Sequence, residues 1–200
     1  MEKLLIINGS PRAKRSNSGR YAEIFKTHYK GKTSEYIVAS RKHEVLFEKI
    51  NYYSDILFVF PLYCDSVPTI LLDFLKSLSQ YKSEHKPTVH VMINCGFIEP
   101  KQNFTAVEIM RLFAKQSGYP FGSILCIGSG EAILDTPFRF CVERKIRSFA
   151  RSVKKGQKKF ASVTMPLTKK IFVKASTNYW IKYGERNGIT KMEMETMEIE

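Results

Sequence analysis

Short apolar segments alternate with longer amphipathic segments along most of the chain. The apolar segments predict five β-strands, at Lys3–Asn8, Ser34–Val38, Asp55–Pro61, Thr88–Asn94 and Ser123–Ile127. In the third of these, the residues from Leu57 to Phe60 are all apolar. Such a run is typical of a strand that is covered on both faces of a parallel sheet.

The segments between the strands show helical spacing instead. After the third strand, one apolar stripe recurs at Val67, Ile70, Leu71, Phe74, Leu75 and Leu78. Further helices are predicted over Ser18–Tyr29 and Lys42–Asn51, and beginning near Thr105 and Thr136. Because parallel strands need helical crossovers on both faces, the pattern predicts an α/β fold with a doubly wound five-stranded parallel sheet in the order 2-1-3-4-5.

The pattern changes in the last quarter of the chain. Residues 156–159 (GQKK) have the composition of a linker, and short helices are predicted at Leu167–Val173 and Asn178–Arg186. We therefore expect an α/β domain over residues 1–155 and a helical C-terminal extension over residues 156–200.

Positive charge is concentrated in the same part of the chain. Residues 139–191 hold 15 Lys and Arg against 2 acidic residues, whereas residues 1–138 hold 17 against 13. Residues 192–200 form a short acidic tail with 4 Glu. A basic block of this kind attracts polyanions such as nucleic acid or an anionic membrane surface, but it is also typical of a solvated helical face.

The remaining bulk features are those of an intracellular globular protein. Hydrophobic residues make up 44% of the chain, and no apolar run is long enough to cross a membrane. The apolar run near the N-terminus is too short for a signal peptide and predicts a first strand, so we expect a cytoplasmic protein. The four cysteines, Cys64, Cys95, Cys126 and Cys141, form no C-x-x-C pair, so we expect buried thiols and no metal site. Three of them fall at or near the ends of predicted strands, which leaves a metal or cluster site as a less favoured alternative.

The loop after the first strand is rich in small hydroxyl and basic residues. It contains neither G-x-x-x-x-G-K-[ST] nor G-x-G-x-x-G, which disfavours the common triphosphate and dinucleotide loops. A helix N-terminus supplies free N–H groups and a partial positive charge to a phosphate. Around that terminus, hydroxyl, guanidinium and amide donors are available from Ser10, Arg12, Ser16, Asn17 and Ser18.

The loops after the third and fourth strands suggest what carries the phosphate. Pro61, Leu62 and Tyr63 make a stiff apolar ledge, and Gly96 would let backbone approach a ring closely. In open α/β sheets, ligands bind beyond the carboxyl ends of the strands where the strand order reverses, here between the first and third strands. A phosphate site on one side and a flat platform on the other fit flavin mononucleotide (FMN).

Three segments in register resemble a known family. GSPR at residues 9–12 with SNS at 16–18, PLYCDSVP at 61–68 and NCGF at 94–97 resemble the flavodoxin-like NAD(P)H-dependent FMN reductase and quinone reductase superfamily. The segment NYWIK at 178–182, followed by Asn187 and Gly188, is similar to the C-terminal segments of a bacterial branch of it. The resemblance implies a flavodoxin-like fold, noncovalently bound FMN, NAD(P)H as electron donor and a homo-oligomer, often a homodimer.

The resemblance also implies roles for individual residues. The phosphate would be bound by Ser10, Arg12, Ser16, Asn17 and Ser18. The ring would be flanked by Pro61, Leu62, Tyr63, Asn94, Cys95, Gly96 and Phe97. No catalytic side chain is expected, because FMN itself carries the hydride chemistry.

Three functions remain open from the sequence. The first is an oxidoreductase that passes a hydride from NAD(P)H through FMN to a quinone, a flavin or a similar small acceptor. The second is a non-catalytic flavodoxin-type electron carrier. The third is a flavin-fold binding protein whose basic C-terminal region contacts nucleic acid or an anionic membrane surface, which the residues do not favour.

Overall fold

The computed structural model describes residues 3–83 and 85–196 of the 200-residue chain. The described part divides into two compact units, with the division between Met165 and Pro166. The first unit therefore extends past residue 155, where the sequence suggested a boundary.

The first unit is an α/β sandwich around one parallel sheet. Its described residues form six strands, listed in chain order as β1 (Lys3–Asn8), β2 (Lys32–Ile37), β3 (Asp55–Pro61), β4 (Thr88–Asn94), β5 (Phe121–Ile127) and β6 (Phe160–Val163). All pairings are parallel and the spatial order is β2-β1-β3-β4-β5-β6. The predicted order of the first five strands is confirmed, but the prediction of a five-stranded sheet is wrong.

The sixth strand explains that error. It contains only four residues, pairs Phe160 with Ile124 and Val163 with Ile127, and follows the lysine-rich segment that was interpreted as a linker. As an edge strand it is mostly exposed or half-buried, so it lacks the continuous apolar run that marks the inner strands.

Helices cover both faces of the sheet. The helices of this unit are α1 (Asn17–His28), α2 (His43–Phe47), α3 (Thr69–Gln80), α4 (Phe104–Gln116) and α5 (Arg139–Lys154). On one face, α2, α3 and α4 pack on alternate strand residues, with Phe74 of α3 and Phe113 of α4 both against Phe58 of β3. On the other face, α1 and α5 lie together, and Phe25 meets Phe149 edge to face with ring centroids 5.8 Å apart.

The second unit contains α6 (Lys169–Arg186) and α7 (Lys191–Thr196). The two short helices predicted between 167 and 186 are one continuous helix of 18 residues. The side chain of Thr168 caps its N-terminus by accepting a hydrogen bond from the backbone N–H of Ile171. Residues 174–177, which lie between the two predicted helices, are an exposed or half-buried part of that helix.

Candidate functional site

A cleft opens at the carboxyl edge of the sheet, where β1, β3 and β4 end. We call it the carboxyl-edge cleft, and it holds about 510 Å³ of empty space up to its open mouth. Its lining consists of Ser10, Arg12, Ser16, Asn17, Ser18, Pro61, Leu62, Tyr63, Asn94, Cys95, Gly96 and Glu131. The structure thus brings together every residue that the sequence assigned to the FMN site except Phe97.

The loop after β1 is folded around the side chain of Asn8. Asn8 is fully buried, its Oδ1 accepts a hydrogen bond from the Ser10 backbone N–H at 3.0 Å, and its Nδ2 donates to the Ala13 carbonyl at 3.3 Å. The Ser10 hydroxyl oxygen in turn accepts from the backbone N–H of Arg12 at 3.3 Å. Sequence reasoning missed the role of Asn8, although a polar residue at the last position of an apolar strand is a usable signal.

The cleft faces the N-terminus of α1. Ser16 caps this helix, since its hydroxyl oxygen accepts from the Gly19 N–H at 3.0 Å. The first backbone hydrogen bond of the helix runs from the Arg20 N–H to the Ser16 carbonyl, so the N–H groups of Asn17 and Ser18 belong to the open end of the helix. Together with the guanidinium of Arg12, this end offers the donors and the positive potential that an anion requires.

A buried side-chain hydrogen bond joins this helix to the sheet. The Ser18 hydroxyl donates to Asn94 Oδ1 at 2.8 Å, and both residues are at least nine-tenths buried. The Asn94 carbonyl also accepts from the backbone N–H of Leu62 at 2.8 Å. The phosphate-side loop and the two strand ends opposite it are therefore held in one arrangement.

The opposite wall of the cleft is apolar and stiff. Tyr63 and Ser66 exchange two backbone hydrogen bonds, of 3.1 and 3.0 Å, across a tight turn. Both central residues of that turn, Cys64 and Asp65, have positive φ, which is the geometry of a two-residue hairpin turn. Tyr63 is 41% exposed at the rim, so one aromatic ring is available to a bound molecule.

Two glycines let the remaining loops close in on the cleft. A Cβ on Gly130 would lie 2.8 Å from Asn94 Cβ, so only glycine fits beside the buried amide. A Cβ on Gly96 would meet nothing but the carboxylate tip of Glu131, at 3.3 Å, so the space over Gly96 is open. Gly130 is also bound to the residue that follows β4, because its N–H donates to the Cys95 carbonyl at 2.7 Å.

Glu131, in the loop after β5, adds a carboxylate to the lining of the cleft. Its carbonyl accepts a hydrogen bond from Asn17 Nδ2 at 3.1 Å, and its side chain approaches Gly96. The negative charge therefore lies on the side of the cleft near Gly96.

An ion pair fastens the loop after β5 to α1. Arg20 donates to both carboxylate oxygens of Asp135, at 2.9 and 2.5 Å, and to Asn17 Oδ1 at 3.0 Å. The hydrogen bond from Arg20 lowers the pKa of Asp135 below its ordinary value. Beneath the pair, the Tyr21 hydroxyl donates to the Gly130 carbonyl at 2.7 Å, and burial raises the pKa of Tyr21.

Phe97 lies apart from the cleft lining. Its side chain is 52% exposed, and its carbonyl accepts from the Ser129 N–H at 2.6 Å, which ties the loops after β4 and β5 together. Its assignment as a ring-flanking residue stays a prediction.

Cys95, in the lining of the cleft, lacks the lowered pKa of an activated nucleophile. Burial raises the pKa of the Cys95 thiol, whose Sγ accepts a hydrogen bond from Asn103 Nδ2 at 3.4 Å. Burial also raises the pKa of Cys126 to about 12. Over residues 3–83 and 85–196, no group of three His, Cys, Asp or Glu side chains is arranged to hold a metal ion.

The buried histidine lies away from the cleft. His90 accepts a hydrogen bond from the Ser123 N–H at its Nδ1, so the proton is on Nε2, which donates to Asp55 Oδ1 at 3.1 Å. Asp55 begins β3, at the opposite edge of the sheet from the cleft. His90 therefore connects β4 to β3 and β5 within the sheet. No helix in the described part of the chain has the combination of length and apolar character needed to cross a bilayer.

Comparisons with known proteins identify the fold. Neither the models of known protein families nor the sequences of curated proteins match the chain. Among solved structures, an NAD(P)H:quinone oxidoreductase from Methanothermobacter marburgensis superposes with a TM-score of 0.61 at 12% identity, covering 76% of this chain and 96% of the other. An FMN-dependent NADH-azoreductase from Bacillus anthracis str. Ames Ancestor, in complex with FMN, has a TM-score of 0.61 at 12% identity and covers 76% and 99%.

A flavodoxin from Streptococcus pneumoniae TIGR4 is also similar, with a TM-score of 0.56 at 12% identity over 78% of this chain and 99% of the other. Identities this low establish a shared fold rather than a shared activity. The comparisons thus confirm the predicted flavodoxin-like fold.

Proposed function

We propose that this protein is an FMN-dependent oxidoreductase that uses NAD(P)H to reduce a small acceptor such as a quinone or a flavin. The observation that carries the proposal is the carboxyl-edge cleft itself, in which anion donors and a flat apolar wall face each other at the point where the strand order reverses. The fold is shared with an FMN-dependent NADH-azoreductase and an NAD(P)H:quinone oxidoreductase, which supports the same chemistry.

The residues present fit FMN at both ends of the cleft. At the phosphate end, the α1 N-terminus, the guanidinium of Arg12 and the hydroxyl of Ser10 supply positive potential and hydrogen-bond donors. At the ring end, Pro61, Leu62 and Tyr63 supply a flat surface, and the open space over Gly96 leaves backbone groups accessible. Glu131 approaches Gly96, so its carboxylate lies at the ring end of the cleft, away from the FMN phosphate.

When bound, FMN would accept a hydride from the nicotinamide and pass reducing equivalents to the acceptor. The chain's own residues would bind the phosphate, orient the ring against the Tyr63 wall and present backbone hydrogen bonds to the ring edge. None of them has to act as an acid or base, because FMN would carry the hydride chemistry.

The test of this function is steady-state turnover after reconstitution with FMN. We expect continuous oxidation of NADH or NADPH in the presence of a soluble quinone, at a rate proportional to the FMN bound. The opposite result is a protein that binds FMN fully but turns over with neither NADH nor NADPH, for any of a panel of quinones and free flavins. That result would contradict the proposed enzymatic activity and favour an electron carrier. The flavodoxin from Streptococcus pneumoniae has the same fold, so this second candidate is a real alternative.

We also propose that the protein acts as a homo-oligomer, as the family resemblance implies. Sedimentation equilibrium of the FMN-loaded protein is the measurement, and a species of one chain mass, 23.1 kDa, at all concentrations would contradict it.

A further inference from the structure

A second cleft lies at the other end of α1. It is formed by Thr27, His28 and Lys30 at the C-terminal end of α1 and by the C-terminal half of α5, and we call it the α1–α5 cleft. Its empty space is about 1140 Å³, against about 510 Å³ for the carboxyl-edge cleft. Since a helix rises about 1.5 Å per residue, the length of α1 separates the two clefts by roughly 16 Å.

The lining of the α1–α5 cleft is dominated by basic side chains. Six of its eight lining residues are basic, namely His28, Lys30, Arg147, Arg151, Lys154 and Lys155. The other two are Thr27 and Ala150, so no carboxylate lines the cleft within the described part of the chain.

The positive charge continues along α5 beyond the cleft. Arg144, Arg147, Arg151 and Lys155 recur at spacings of three and four residues and therefore share one face of the helix. Residues 139–159 hold nine Lys and Arg against the single acid Glu143, which is paired with Arg139 at 2.7 Å. The cations thus form a row about 16 Å long at 1.5 Å per residue, rather than one compact cluster.

Helix stability explains only part of this row. Cations in the last turn of a helix are favoured by its partial negative charge, which accounts for His28 in α1 and for Arg151 and Lys154 in α5. That effect fades beyond the last turn, so it does not account for Arg144 and Arg147. Like charges four residues apart repel, as Arg147 and Arg151 do, so the row costs stability that a bound polyanion would restore.

We propose that the α1–α5 cleft binds the phosphate backbone of a nucleic acid strand. A linear row of cations matches a linear row of phosphates, and arginine is suited to phosphate recognition. Contacts from cations to phosphates carry no base information, so binding to this lining is independent of base sequence. An anionic membrane fits less well, because the surface is concave and its one apolar side chain, Ala150, is fully buried.

The test is binding of a fluorescein-labelled single-stranded oligonucleotide of mixed sequence to the full-length protein, followed by anisotropy as salt is increased. With four to six phosphate contacts, the slope of log affinity against log salt should be about −3 to −4. Oligonucleotides of different sequence and equal length should bind with about the same affinity.

Paired variants localise the binding. The double variant Arg147→Gln/Arg151→Gln should bind the oligonucleotide at least about tenfold more weakly than the wild type. Its slope of log affinity against log salt should be less steep by about 1.4. The matched control Lys76→Gln/Lys115→Gln removes the same charge from α3 and α4 on the opposite face of the sheet, and should change affinity by less than about twofold. Circular dichroism confirms folding, and Lys154→Gln/Lys155→Gln serves as a second cleft variant if the first does not fold.

Two results would overturn the proposal. One is equal oligonucleotide affinity in the cleft variants and the control. The other is binding to phosphatidylserine-containing vesicles with no binding to the oligonucleotide at low salt, which would assign the basic cleft to a membrane surface instead.

Discussion

The hydroxyl of Ser18 and the amide oxygen of Asn94 form a buried hydrogen bond of 2.8 Å between residues 76 positions apart in the chain. The bond connects the first turn of α1 to the last residue of β4. It therefore holds together the two walls of the cleft that we assign to FMN.

The substitution Ser18→Ala should lower the free energy of unfolding of the protein, measured without added FMN. The change leaves Asn94 Oδ1 buried without its donor, and an unsatisfied buried acceptor costs about 1–3 kcal/mol. Urea unfolding measures the loss. Ser77→Ala is the control, because Ser77 is exposed and donates only to the Asp73 carbonyl of its own helix, and it should change stability by less than about 0.5 kcal/mol. Equal effects of the two substitutions would mean that the Ser18–Asn94 bond does not organise the cleft.

Two glycine substitutions distinguish a glycine needed for packing from a glycine needed for ligand binding. Gly130→Ala should lower the free energy of unfolding by about 1–3 kcal/mol, because the new Cβ would collide with Asn94 Cβ and the fold would have to shift. Gly96→Ala should leave stability within about 0.5 kcal/mol, since its Cβ meets only the movable tip of Glu131, yet weaken FMN binding. Thermal melting and FMN titration of both variants are the measurements. A Gly96→Ala protein with unaltered FMN affinity would exclude close approach of the ring at this position.

The inner strands were predictable because their sequence carries a strong signal. For β1, β3 and β4 the observed ends coincide with the predicted ones, since each contains a buried, largely apolar run closed by a polar residue or a proline. The inner strand β5 ends at Ile127 as predicted but begins two residues earlier, at Phe121. The outer strands are different. In β2 every residue is exposed or half-buried, so its observed bounds, Lys32–Ile37, begin earlier than predicted, and β6 was missed altogether.

The site was predictable to the extent that its residues follow strand ends directly. Parallel strands bring their carboxyl ends to one edge, so the residues after β1, β3 and β4 had to meet. The supporting contacts were not predictable, because they join distant loops. Tyr21 bound to the Gly130 carbonyl and Arg20 bound to Asp135 are pairs more than 100 residues apart, and no local pattern announces them.

Stability in acid should depend on Asp55. Burial alone would raise the pKa of this carboxyl, but the hydrogen bonds from His90 and Ser54 outweigh it and hold the pKa below its ordinary value of 3.8. A carboxyl with a depressed pKa in the folded protein stabilises it above the unfolded pKa, and the contribution is lost as pH falls through the folded value. We therefore expect Asp55→Asn to cost about 1 kcal/mol or more near neutral pH, with the difference shrinking below about pH 4.

The measurement is urea unfolding of the wild type and Asp55→Asn across the acid range. Asp73→Asn, at an exposed position whose lysine partner lies 3.8 Å away, is the control and should differ little from wild type at any pH. A wild-type to Asp55→Asn difference that grows as pH falls would contradict the assignment.

The thiols should react in the order of their exposure. Cys64 is exposed, Cys141 is half-buried, and Cys95 and Cys126 are buried with raised pKa values, so only Cys64 should react quickly with a disulfide reagent at neutral pH. The Cys64→Ser variant should lose the fast phase, and denaturation should expose all four thiols of the wild type. A fast phase that persists in Cys64→Ser would show that a buried thiol is accessible.

The most direct test of the account is a titration of FMN fluorescence with the purified protein, repeated with riboflavin, which lacks the phosphate. We expect saturable quenching of FMN and binding of riboflavin that is weaker by about 10- to 100-fold, since charge-assisted hydrogen bonds contribute about 1.5–3 kcal/mol. Arg12→Gln should weaken FMN binding and leave riboflavin binding unchanged. If FMN fluorescence is not quenched, or if FMN and riboflavin bind equally well, the carboxyl-edge cleft does not hold a flavin by its phosphate and the proposed function is contradicted.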